Sequence, residues 1–419
     1  MSVLPEVPPE VRQHSQQLLD ILRQKINRQG SISFAEYMQS ALYEPGLGYY
    51  ASGYPVFGAD GDFITSPGLG ELYGKCLAVQ CDEVITALEQ KYDRTQVHGF
   101  EPCLIEFGAG NGLLARVLLE QITALRAARK QPPPAYHIIE TSGSLRQRQQ
   151  IELEQLAPDL SGQVQWHEYL PENLSGIVVA NEVLDAMPVE RLRWQQQHLQ
   201  QLRVDFDVAQ GRLRASYVTL QNDASAPPWL GELEQLLATL PQALPDGYCF
   251  EFNTYVRGWL AAVSGLLSSG AVLLVDYGYP RAEYFLPERD QGTLMCYYRH
   301  HAHDDPYHLP GAQDITAHVD FTAVVEAAVD AGFNLNGYTS QSAFLQSNGL
   351  LEFAEQSIQS SAGQNHGNAV QPESIRLMQE VKTLCMPGSM GERFQVMGLT
   401  KGLDLVMRGF TRLDLSHRL

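Results

Sequence analysis

The clearest pattern of apolar and polar positions lies at residues 104–118. An apolar run at 104–107, interrupted by Glu106, is followed by glycines at 108, 110 and 112 and then by apolar residues at helical spacing. Such a pattern predicts a buried strand, a glycine turn and an amphipathic helix. Glycine lets the backbone approach a ligand, and a helix N-terminus presents unpaired N–H groups, so we predict a cofactor-binding strand–loop–helix.

The alternation of strands and helices continues to residue 182. Apolar runs predict strands at 136–140, Val164–His167 and 177–181, and a helix at 111–130 precedes them. Strands that alternate with helices form parallel sheets with right-handed crossovers. The pattern therefore predicts an α/β fold.

Further elements are predicted on both sides of this region. Apolar positions at helical spacing predict helices at 11–28, from Ser33, at about 69–92 and at about 256–267. Period-two alternation at 189–220 predicts antiparallel hairpins, residues 271–278 a buried strand, and 279–314 a long irregular loop. The predicted domains are a helical cap with an aromatic, glycine-rich loop (1–100), a core carrying the hairpins (101–290), and a substrate-side loop with a C-terminal part that completes the sheet (291–419).

Three nucleotide-type ligands compete for the glycine turn. A dinucleotide fingerprint needs a small residue five positions after its first glycine, where this chain has Leu113. A P-loop needs Gly-Lys followed by Ser or Thr, which this turn lacks. The spacing E-x-G-x-G-x-G suits a ligand without phosphate, such as S-adenosyl-L-methionine, and the candidate residues for binding it are Glu106, Gly108, Gly110 and Gly112.

Glu140 ends the next predicted strand. A carboxylate beside the glycine turn can accept both ribose hydroxyl protons, as the acid on the second strand of a dinucleotide fold does. The alternative is that Glu140 caps the following helix, with Thr141 or Ser142 as N-cap. We favour the ribose role, and Trp166, in the third strand, is a weaker candidate for the adenine pocket.

A second set of candidate residues lies at 178–189. The strand at 177–181 delivers Asn181, Glu182 and Asp185 to the carboxyl edge, where open α/β sheets bind ligands. The two carboxylates can hold one cation, and for methyl transfer to a guanidinium they would orient the attacking nitrogen. Arginine stays protonated near neutral pH, so its proton leaves during or after transfer. The alternative is a helix-capping Asp185 and a solvated Glu182.

Composition and charge restrict the partners. A net charge of −19 on 419 residues disfavours a nucleic-acid partner and is compatible with a cationic one. Six cysteines occur without a C-x-x-C pair, which indicates neither a zinc site nor a disulfide framework and fits a reducing cytosol. The N-terminus lacks signal-peptide and transit-peptide features, and no apolar run approaches membrane-spanning length. We expect a soluble, cytoplasmic protein without membrane insertion.

Several segments match one family. They are ISFAEYMQSALYEPGLGYY (32–50), GDFITSP (61–67), EFGAGNG (106–112), NEVLDAMPV (181–189), LVDYGY (274–279), GTLMCY (292–297) and HLPGAQDITAHVDF (308–321). With these segments the chain resembles, over nearly its whole length, the MidA family of class I S-adenosylmethionine-dependent methyltransferases. Members occur in bacteria and in mitochondria, where the relative acts in complex I assembly.

The resemblance implies a Rossmann-like, mostly parallel sheet of seven strands, with an added helical cap and hairpin insertions. For the mitochondrial relative it implies symmetric dimethylation of an arginine in a complex I subunit. The matched positions are the cofactor loop (Gly108, Gly110, Gly112), the ribose acid (Glu140), the motif after the strand (Asn181, Glu182, Asp185) and two further cofactor-binding residues (Thr65, Ser66). After Pro67 the family usually has a glutamate, and this chain has Gly68, so that carboxylate has no counterpart here.

Other polar and aromatic residues are given structural roles. Histidines at 300, 301, 303 and 308 lack a fixed ligand spacing, so we predict no metal site. Asp314, His318 and Asp320 are interpreted as structural, with a helix expected to start near Phe321. Aromatic residues that can cover the cofactor, although such clusters more often belong to a core, are Tyr49, Tyr50, Phe57 and Phe63.

The sequence therefore predicts a methyltransferase that acts on a protein side chain, arginine in particular. Glu182 and Asp185 are the predicted catalytic residues, and Asn181 is placed at the cofactor. The expected partner is a protein with an arginine acceptor, and long loops and aromatic side chains are compatible with a homodimer. Two alternatives stay open: an assembly or binding factor that keeps the cofactor pocket, with Gly68 a trace of lost catalysis, and a small-molecule methyltransferase.

Overall fold

A computed structural model describes residues 4–54, 66–92, 101–156, 158–224, 226–362, 372–386 and 388–419. Helices in these ranges are α1 Pro9–Gln29, α2 Phe34–Tyr43, α3 Ser66–Leu69, α4 Leu72–Lys91, α5 Leu113–Ala127, α6 Gly143–Leu153, α7 Pro158–Ser161, α8 Leu230–Ala238, α9 Val256–Leu266, α10 Arg281–Tyr284, α11 Phe321–Asp330, α12 Gln341–Ser347, α13 Leu350–Ala362, α14 Pro372–Cys385 and α15 Met390–Arg393. Three-residue 3₁₀ turns lie at Pro287–Arg289, Arg408–Phe410 and Ser416–Arg418.

The strands in the same ranges are β1 Ile32–Ser33, β2 Cys103–Phe107, β3 Tyr136–Ile139, β4 Val164–His167, β5 Leu174–Asn181, β6 Val189–Gln195, β7 His198–Asp207, β8 Arg212–Thr219, β9 Cys249–Asn253, β10 Leu267–Tyr279, β11 Met295–Tyr298, β12 His301–His303, β13 Asp314–Thr316, β14 Val319–Asp320, β15 Asn334–Ser340 and β16 Phe394–Lys401. Of the candidate residues, Thr65, Phe57 and Phe63 lie outside the described residues.

The chain forms two compact units, each assembled from three separate segments. The first unit comprises Met1–Phe63, Leu184–Trp259 and Tyr279–Val324, and the second comprises Ile64–Val183, Leu260–Gly278 and Val325–Leu419. The division into domains at residues 100 and 290 stays a prediction.

In the second unit, the strands follow the order β15-β16-β10-β5-β2-β3-β4. From β10 to β4 neighbouring strands are parallel, whereas β16 runs antiparallel to both β10 and β15. From β2 the chain continues to β3 and β4 on one side and to β5 and β10 on the other. This arrangement creates a switch point between β2 and β5, where open α/β sheets bind ligands. The predicted α/β architecture with a parallel sheet is confirmed.

The strands of this sheet are apolar along most of their length because both faces are covered. Val178 and Val179, which point to opposite faces of β5, are both fully buried. Helices α4 and α5 contribute Leu77, Ile85 and Leu118 to the same core. The apolar packing holds the carboxyl ends of β2, β3 and β5 in place.

The first unit contains the predicted hairpins. Its antiparallel sheet has the order β1-β7-β6-β9, and β8 also pairs with β7, along residues 200–207. The β6–β7 turn consists of Gln196 and Gln197, both with positive φ, as a two-residue hairpin loop requires. Helices α1 and α2 pack on this sheet through buried side chains that include Leu18, Leu22 and Phe34.

The prediction that residues 279–314 form an irregular loop is wrong in part. This segment contains α10 and the strands β11 and β12, which form an antiparallel sheet with β13 in the order β12-β11-β13. The β11–β12 turn places Arg299 and His300 at positive φ. Such turns usually carry Gly, Asn or Asp, so the sequence offered no recognisable hairpin signal here.

Candidate functional site

The glycine loop connects β2 to α5 in the second unit. Gly108, Gly110 and Gly112 have φ of +66°, +55° and +91°, the left-handed region that favours glycine. A Cβ on Gly108 would lie 2.8 Å from Val183 Cγ2, and one on Gly112 would lie 2.9 Å from the Gln149 Cα. Any larger residue at these two positions would therefore displace its neighbour. The loop leads directly into the N-terminus of α5, which begins at Leu113.

Glu106 lies in β2, just before this loop. Its side chain is buried, and its Oε2 accepts a hydrogen bond of 2.7 Å from the Tyr136 hydroxyl. Burial raises the pKa of Glu106 to about 7, although the bond from Tyr136 opposes this rise. The carboxyl group thus titrates near neutral pH.

Glu140 follows β3, the strand that pairs with β2 in parallel. Its Oε1 accepts the Ser142 N–H at 2.7 Å, and its Oε2 accepts the Gln149 amide at 2.9 Å. Burial raises the pKa of Glu140, whereas these hydrogen bonds lower it. Ser142 is the N-cap of α6, as the alternative interpretation expected, and Glu140 itself supports that turn.

Gln149 was not predicted as a site residue. Its amide nitrogen donates to Glu140 and also to the Gly110 carbonyl, at 3.1 Å, and its oxygen accepts the Trp166 indole N–H at 3.0 Å. The structure thus brings the glycine loop, Glu140 and Trp166 together around one buried side chain. The sequence does contain a signal for this residue, because Gln149 is the polar member of the buried helical stripe Leu145–Gln149–Leu153 of α6.

Asn181 and Glu182 lie where β5 ends beside β10. The Glu182 N–H donates to the Val275 carbonyl at 2.9 Å, and the Asn181 Nδ2 donates to Glu182 Oε1 at 3.2 Å. Glu182 has a φ of +54°, in the left-handed region. For a residue other than glycine this conformation costs roughly 1–3 kcal/mol, and it persists where the surrounding structure imposes it.

Tyr73 is a second residue that was not predicted. It is fully buried in α4, and its hydroxyl donates to the Asn181 Oδ1. Because this bond occupies the amide oxygen, the amide nitrogen is the atom that faces Glu182. Burial raises the pKa of Tyr73, and the charge of Glu182 adds to this effect. The apolar pattern of α4 gave no indication that a tyrosine hydroxyl reaches the end of β5.

Asp185 is placed in the first unit and is buried. The carbonyls around it are all hydrogen-bonded: Leu184 to the Asn253 Nδ2 at 3.5 Å, Asp185 to the Ala317 N–H at 3.0 Å, and Ala186 to the Tyr43 hydroxyl at 2.9 Å. No helix begins in the described stretch between Asp185 and β6. The alternative that Asp185 caps a helix is therefore wrong.

Ser66 is fully buried in α3, and its hydroxyl donates to Gln341 at 3.2 Å. Gly68, in the same short helix, is exposed to solvent. The cofactor-binding role of Ser66 stays a prediction, as does that of Thr65, which lies outside the described residues.

The acids of the segment 314–320 have structural contacts in the first unit. Asp320 Oδ1 accepts the N–H groups of Thr322 and Ala323 at the start of α11, and its Oδ2 lies 3.3 Å from the Arg281 Nε. Asp314 accepts the Tyr50 hydroxyl at 3.1 Å. Their interpretation as structural residues agrees with these contacts.

Two features are absent from the described part of the chain. No group of three or more His, Cys, Asp or Glu side chains is arranged to hold a metal ion there. No helix among the described residues is both long and apolar enough to cross a membrane.

The residues around the glycine loop fit S-adenosyl-L-methionine. Gly108 is exposed and has no side chain, so its backbone is open to a ligand, and Gly112 lets the loop pack directly against the Gln149 Cα. The ribose diol needs a hydrogen-bond acceptor, and the Glu140 carboxylate supplies one beside the loop. The loop has no lysine for a phosphate, which agrees with a ligand that carries none.

The chain is similar to one described protein family and to several known proteins. The family model described as "Putative S-adenosyl-L-methionine-dependent methyltransferase" matches residues 76–339. A Burkholderia thailandensis protein, crystallised with S-adenosyl-homocysteine, is 36% identical, with a TM-score of 0.86 and full coverage of both chains.

Two curated relatives carry a more specific name. A Drosophila melanogaster protein, the mitochondrial protein arginine methyltransferase NDUFAF7 homolog, is 28% identical over 95% of this chain and 88% of its own length. The Danio rerio mitochondrial protein arginine methyltransferase NDUFAF7 is also 28% identical, over 95% of this chain and 93% of its own length.

Proposed function

This chain belongs to the S-adenosyl-L-methionine-dependent methyltransferase family whose model matches residues 76–339, and we propose that its acceptor is an arginine side chain of a protein. Two relatives named as protein arginine methyltransferases, each 28% identical, support this acceptor. The net charge of −19 is also compatible with a cationic acceptor.

The cofactor-binding residues in this proposal are Glu106, Gly108, Gly110, Gly112, Glu140 and Asn181. When bound, S-adenosyl-L-methionine supplies an electrophilic methyl group on a sulfonium. The glycine loop gives its backbone N–H groups to the ligand, and Glu140 accepts hydrogen bonds from the ribose. Thr65 and Ser66 complete the proposed set.

The observation that carries a catalytic role is the conformation of Glu182. Its backbone is held at a φ of +54°, while its carboxylate accepts the amide of Asn181. Residues in rare backbone conformations cluster at active sites, where the surrounding structure maintains the strain. We assign Glu182 to the guanidinium of the acceptor, whose planar N–H groups match a carboxylate.

Asp185 has the same proposed role of holding positive charge, and its own surroundings support it. It is a buried carboxylate on a backbone segment whose carbonyls are fixed by Asn253, Ala317 and Tyr43. Methyl transfer forms a bond between carbon and a guanidinium nitrogen and breaks the bond between carbon and sulfur. One proton leaves that nitrogen during or after transfer and passes to solvent, because the guanidinium is not deprotonated beforehand.

The proposal includes the finer features of the fold. The seven strands from β15 to β4 correspond to the methyltransferase sheet, α1 and α2 to the helical cap, and β6 to β8 to the hairpin insertion. We also propose that the protein is cytoplasmic, that it forms a homodimer and that it has no nucleic-acid partner.

The first experiment identifies the acceptor. Purified protein is incubated with methyl-labelled S-adenosyl-L-methionine and an extract of cells that lack this protein. The labelled proteins are then hydrolysed to amino acids. Label in methylarginine supports the proposal. Label in a small molecule contradicts a protein acceptor, and cofactor binding without any transfer indicates a binding or assembly factor.

Variants of the two carboxylates test their role. Glu182→Gln and Asp185→Asn should each lower turnover on that acceptor by about 100-fold or more, since each removes a charge that opposes the guanidinium. The affinity for S-adenosyl-L-methionine, measured by calorimetry, should change little.

Two exposed acids provide matched controls. Glu172→Gln and Asp304→Asn change the same residue types at solvent-exposed positions and should retain full turnover. Normal turnover in Glu182→Gln would remove that carboxylate from the mechanism.

A further inference from the structure

Gln149 is a polar side chain in an apolar environment. It lies in α6 between Leu145 and Leu153, and all three side chains are buried. A buried primary amide must use its hydrogen-bonding groups, because each unsatisfied group costs about 1–3 kcal/mol. Its position among apolar side chains therefore calls for specific partners.

Each partner of Gln149 comes from a different segment of the cofactor site. Its nitrogen donates to Glu140 Oε2 at 2.9 Å and to the Gly110 carbonyl at 3.1 Å, and its oxygen accepts the Trp166 Nε1 at 3.0 Å. An indole only donates, whereas a carboxylate and a carbonyl only accept. The chemistry of the partners thus fixes the orientation of the amide, and a carboxylate at this position could not donate to Glu140.

The backbone of α6 also contacts the glycine loop. Gly112 adopts a φ of +91°, and a Cβ placed on it would lie 2.9 Å from the Gln149 Cα. The helix therefore approaches the loop as closely as a glycine allows. Gln149 links this loop to the acid that follows β3 through both its backbone and its side chain.

The hydrogen bonds to Glu140 affect whether its carboxyl group is protonated or ionised. Burial raises the pKa of Glu140, and the hydrogen bonds from Ser142, Gln149 and Thr141 oppose that rise. An ionised carboxylate accepts hydrogen bonds with two oxygens and donates none, which is what a ribose diol requires. Gln149 therefore favours the form of Glu140 that binds ribose.

We infer that Gln149 is a positioning residue of the cofactor site, which holds Glu140 and the glycine loop in the arrangement that recognises the ribose. This inference rests on the proposed ribose role of Glu140. Gln149 would thus affect cofactor specificity indirectly, through its hydrogen bonds to Glu140 and Gly110.

The test compares S-adenosylhomocysteine with its 2′,3′-dideoxy analogue by calorimetry. The wild-type protein should bind the analogue about 10- to 100-fold more weakly, because the hydrogen bonds to a charged acceptor are lost. Gln149→Met, a change to an unbranched apolar side chain, should weaken binding of S-adenosylhomocysteine by about 10-fold or more. It should also bring the two affinities close together.

Two matched variants separate the possible results. Gln150→Met changes the neighbouring, exposed glutamine of α6 and should leave both affinities at wild-type values. Glu140→Met, which removes both acceptor oxygens, should abolish the preference for the ribose hydroxyls. If Glu140→Met abolishes the preference and Gln149→Met leaves the ratio unchanged, the inference about Gln149 is wrong. If Glu140→Met itself keeps the ratio, the proposed ribose role of Glu140 is wrong.

Gln149→Glu provides an independent readout and keeps the size of the side chain if the methionine variant does not fold. Near pH 8 the new carboxylate repels Glu140, and at lower pH its protonated form can donate as the amide does. Affinity for S-adenosylhomocysteine should therefore increase, relative to wild type, as pH falls from 8 to 6. Parallel pH profiles of the variant and the wild type would contradict the inference.

Discussion

The carboxyl group of Glu106 makes stability dependent on pH. Burial raises its pKa from 4.5 to about 7, so the folded state holds this proton more tightly than the unfolded state does. Between pH 4.5 and about 7 the stability of the ligand-free protein decreases as pH rises. Above about pH 7 Glu106 is ionised in both states, and its effect on stability no longer changes with pH. We expect the thermal unfolding temperature to fall between pH 5 and 8, and to fall less in Glu106→Gln.

The glutamine variant suits this test because its amide oxygen can still accept the bond from Tyr136. Glu172→Gln, which changes an exposed acid, is the control and should follow the wild-type profile. Equal pH dependence in wild type and Glu106→Gln would show that another group causes the fall.

At the scale of single residues, local patterns located the glycine loop, because Gly108, Gly110 and Gly112 act through their own backbone. Gln149 and Tyr73 were not located, because their roles depend on contacts with residues distant in sequence. The hydroxyl of Tyr73 reaches Asn181, 108 positions away, and nothing in the neighbourhood of Tyr73 indicates this contact. A polar residue within an apolar helical stripe, as at Gln149, is a sequence signal that can locate such a site residue.

At the scale of elements, α2 offers a clear test of helix initiation. Ser33 Oγ accepts the Glu36 N–H at 3.2 Å, and the Ser33 N–H donates to Glu36 Oε2 at 2.8 Å, which together form a capping box. Removing an N-cap hydroxyl costs about 1 kcal/mol. Ser33→Ala should therefore lower the urea midpoint of unfolding.

Two further variants complete this test. Ser33→Thr keeps the hydroxyl and should restore most of the midpoint. Ser161→Ala, at the end of the short helix α7, removes a serine hydroxyl that caps no helix start and should have a smaller effect. An unchanged midpoint in Ser33→Ala would mean that α2 is fixed by tertiary packing alone.

Regular elements were predicted well where their pattern is long. The helices α1 and α9 and the hairpins of β6 to β8 follow from period 3.6 or period 2 over many residues. β11 and β12 are short, and their turn uses Arg299 and His300 at positive φ. The propensities of these residues argue against such a turn, so tertiary contacts determine it.

At the scale of the whole molecule, the net charge of −19 should affect the capture of a cationic acceptor. Attraction between solvent-exposed charges is screened beyond about 10 Å at 0.1 M salt. For a peptide with the acceptor arginine among basic residues, we expect KM to rise several-fold between about 0.05 and 0.5 M salt, while kcat changes little.

A peptide with the same acceptor arginine among neutral residues is the control for this effect. Its KM should depend much less on salt, because only the acceptor itself carries charge. Equal salt dependence for the two peptides would contradict long-range attraction.

The division of each unit into three chain segments determines when each unit can form during synthesis. β1 pairs with β7 through Ile32↔Val204, so the N-terminal strand emerges from the ribosome long before its partner. In the other unit, β10 and β15 both pair with β16, which ends at Lys401. The sheet of the first unit can be completed only after β9, which ends at Asn253, and the sheet of the second only after Lys401. The apolar strands of a partly synthesised chain therefore lack their partners for much of translation, and such unpaired strands are prone to aggregate.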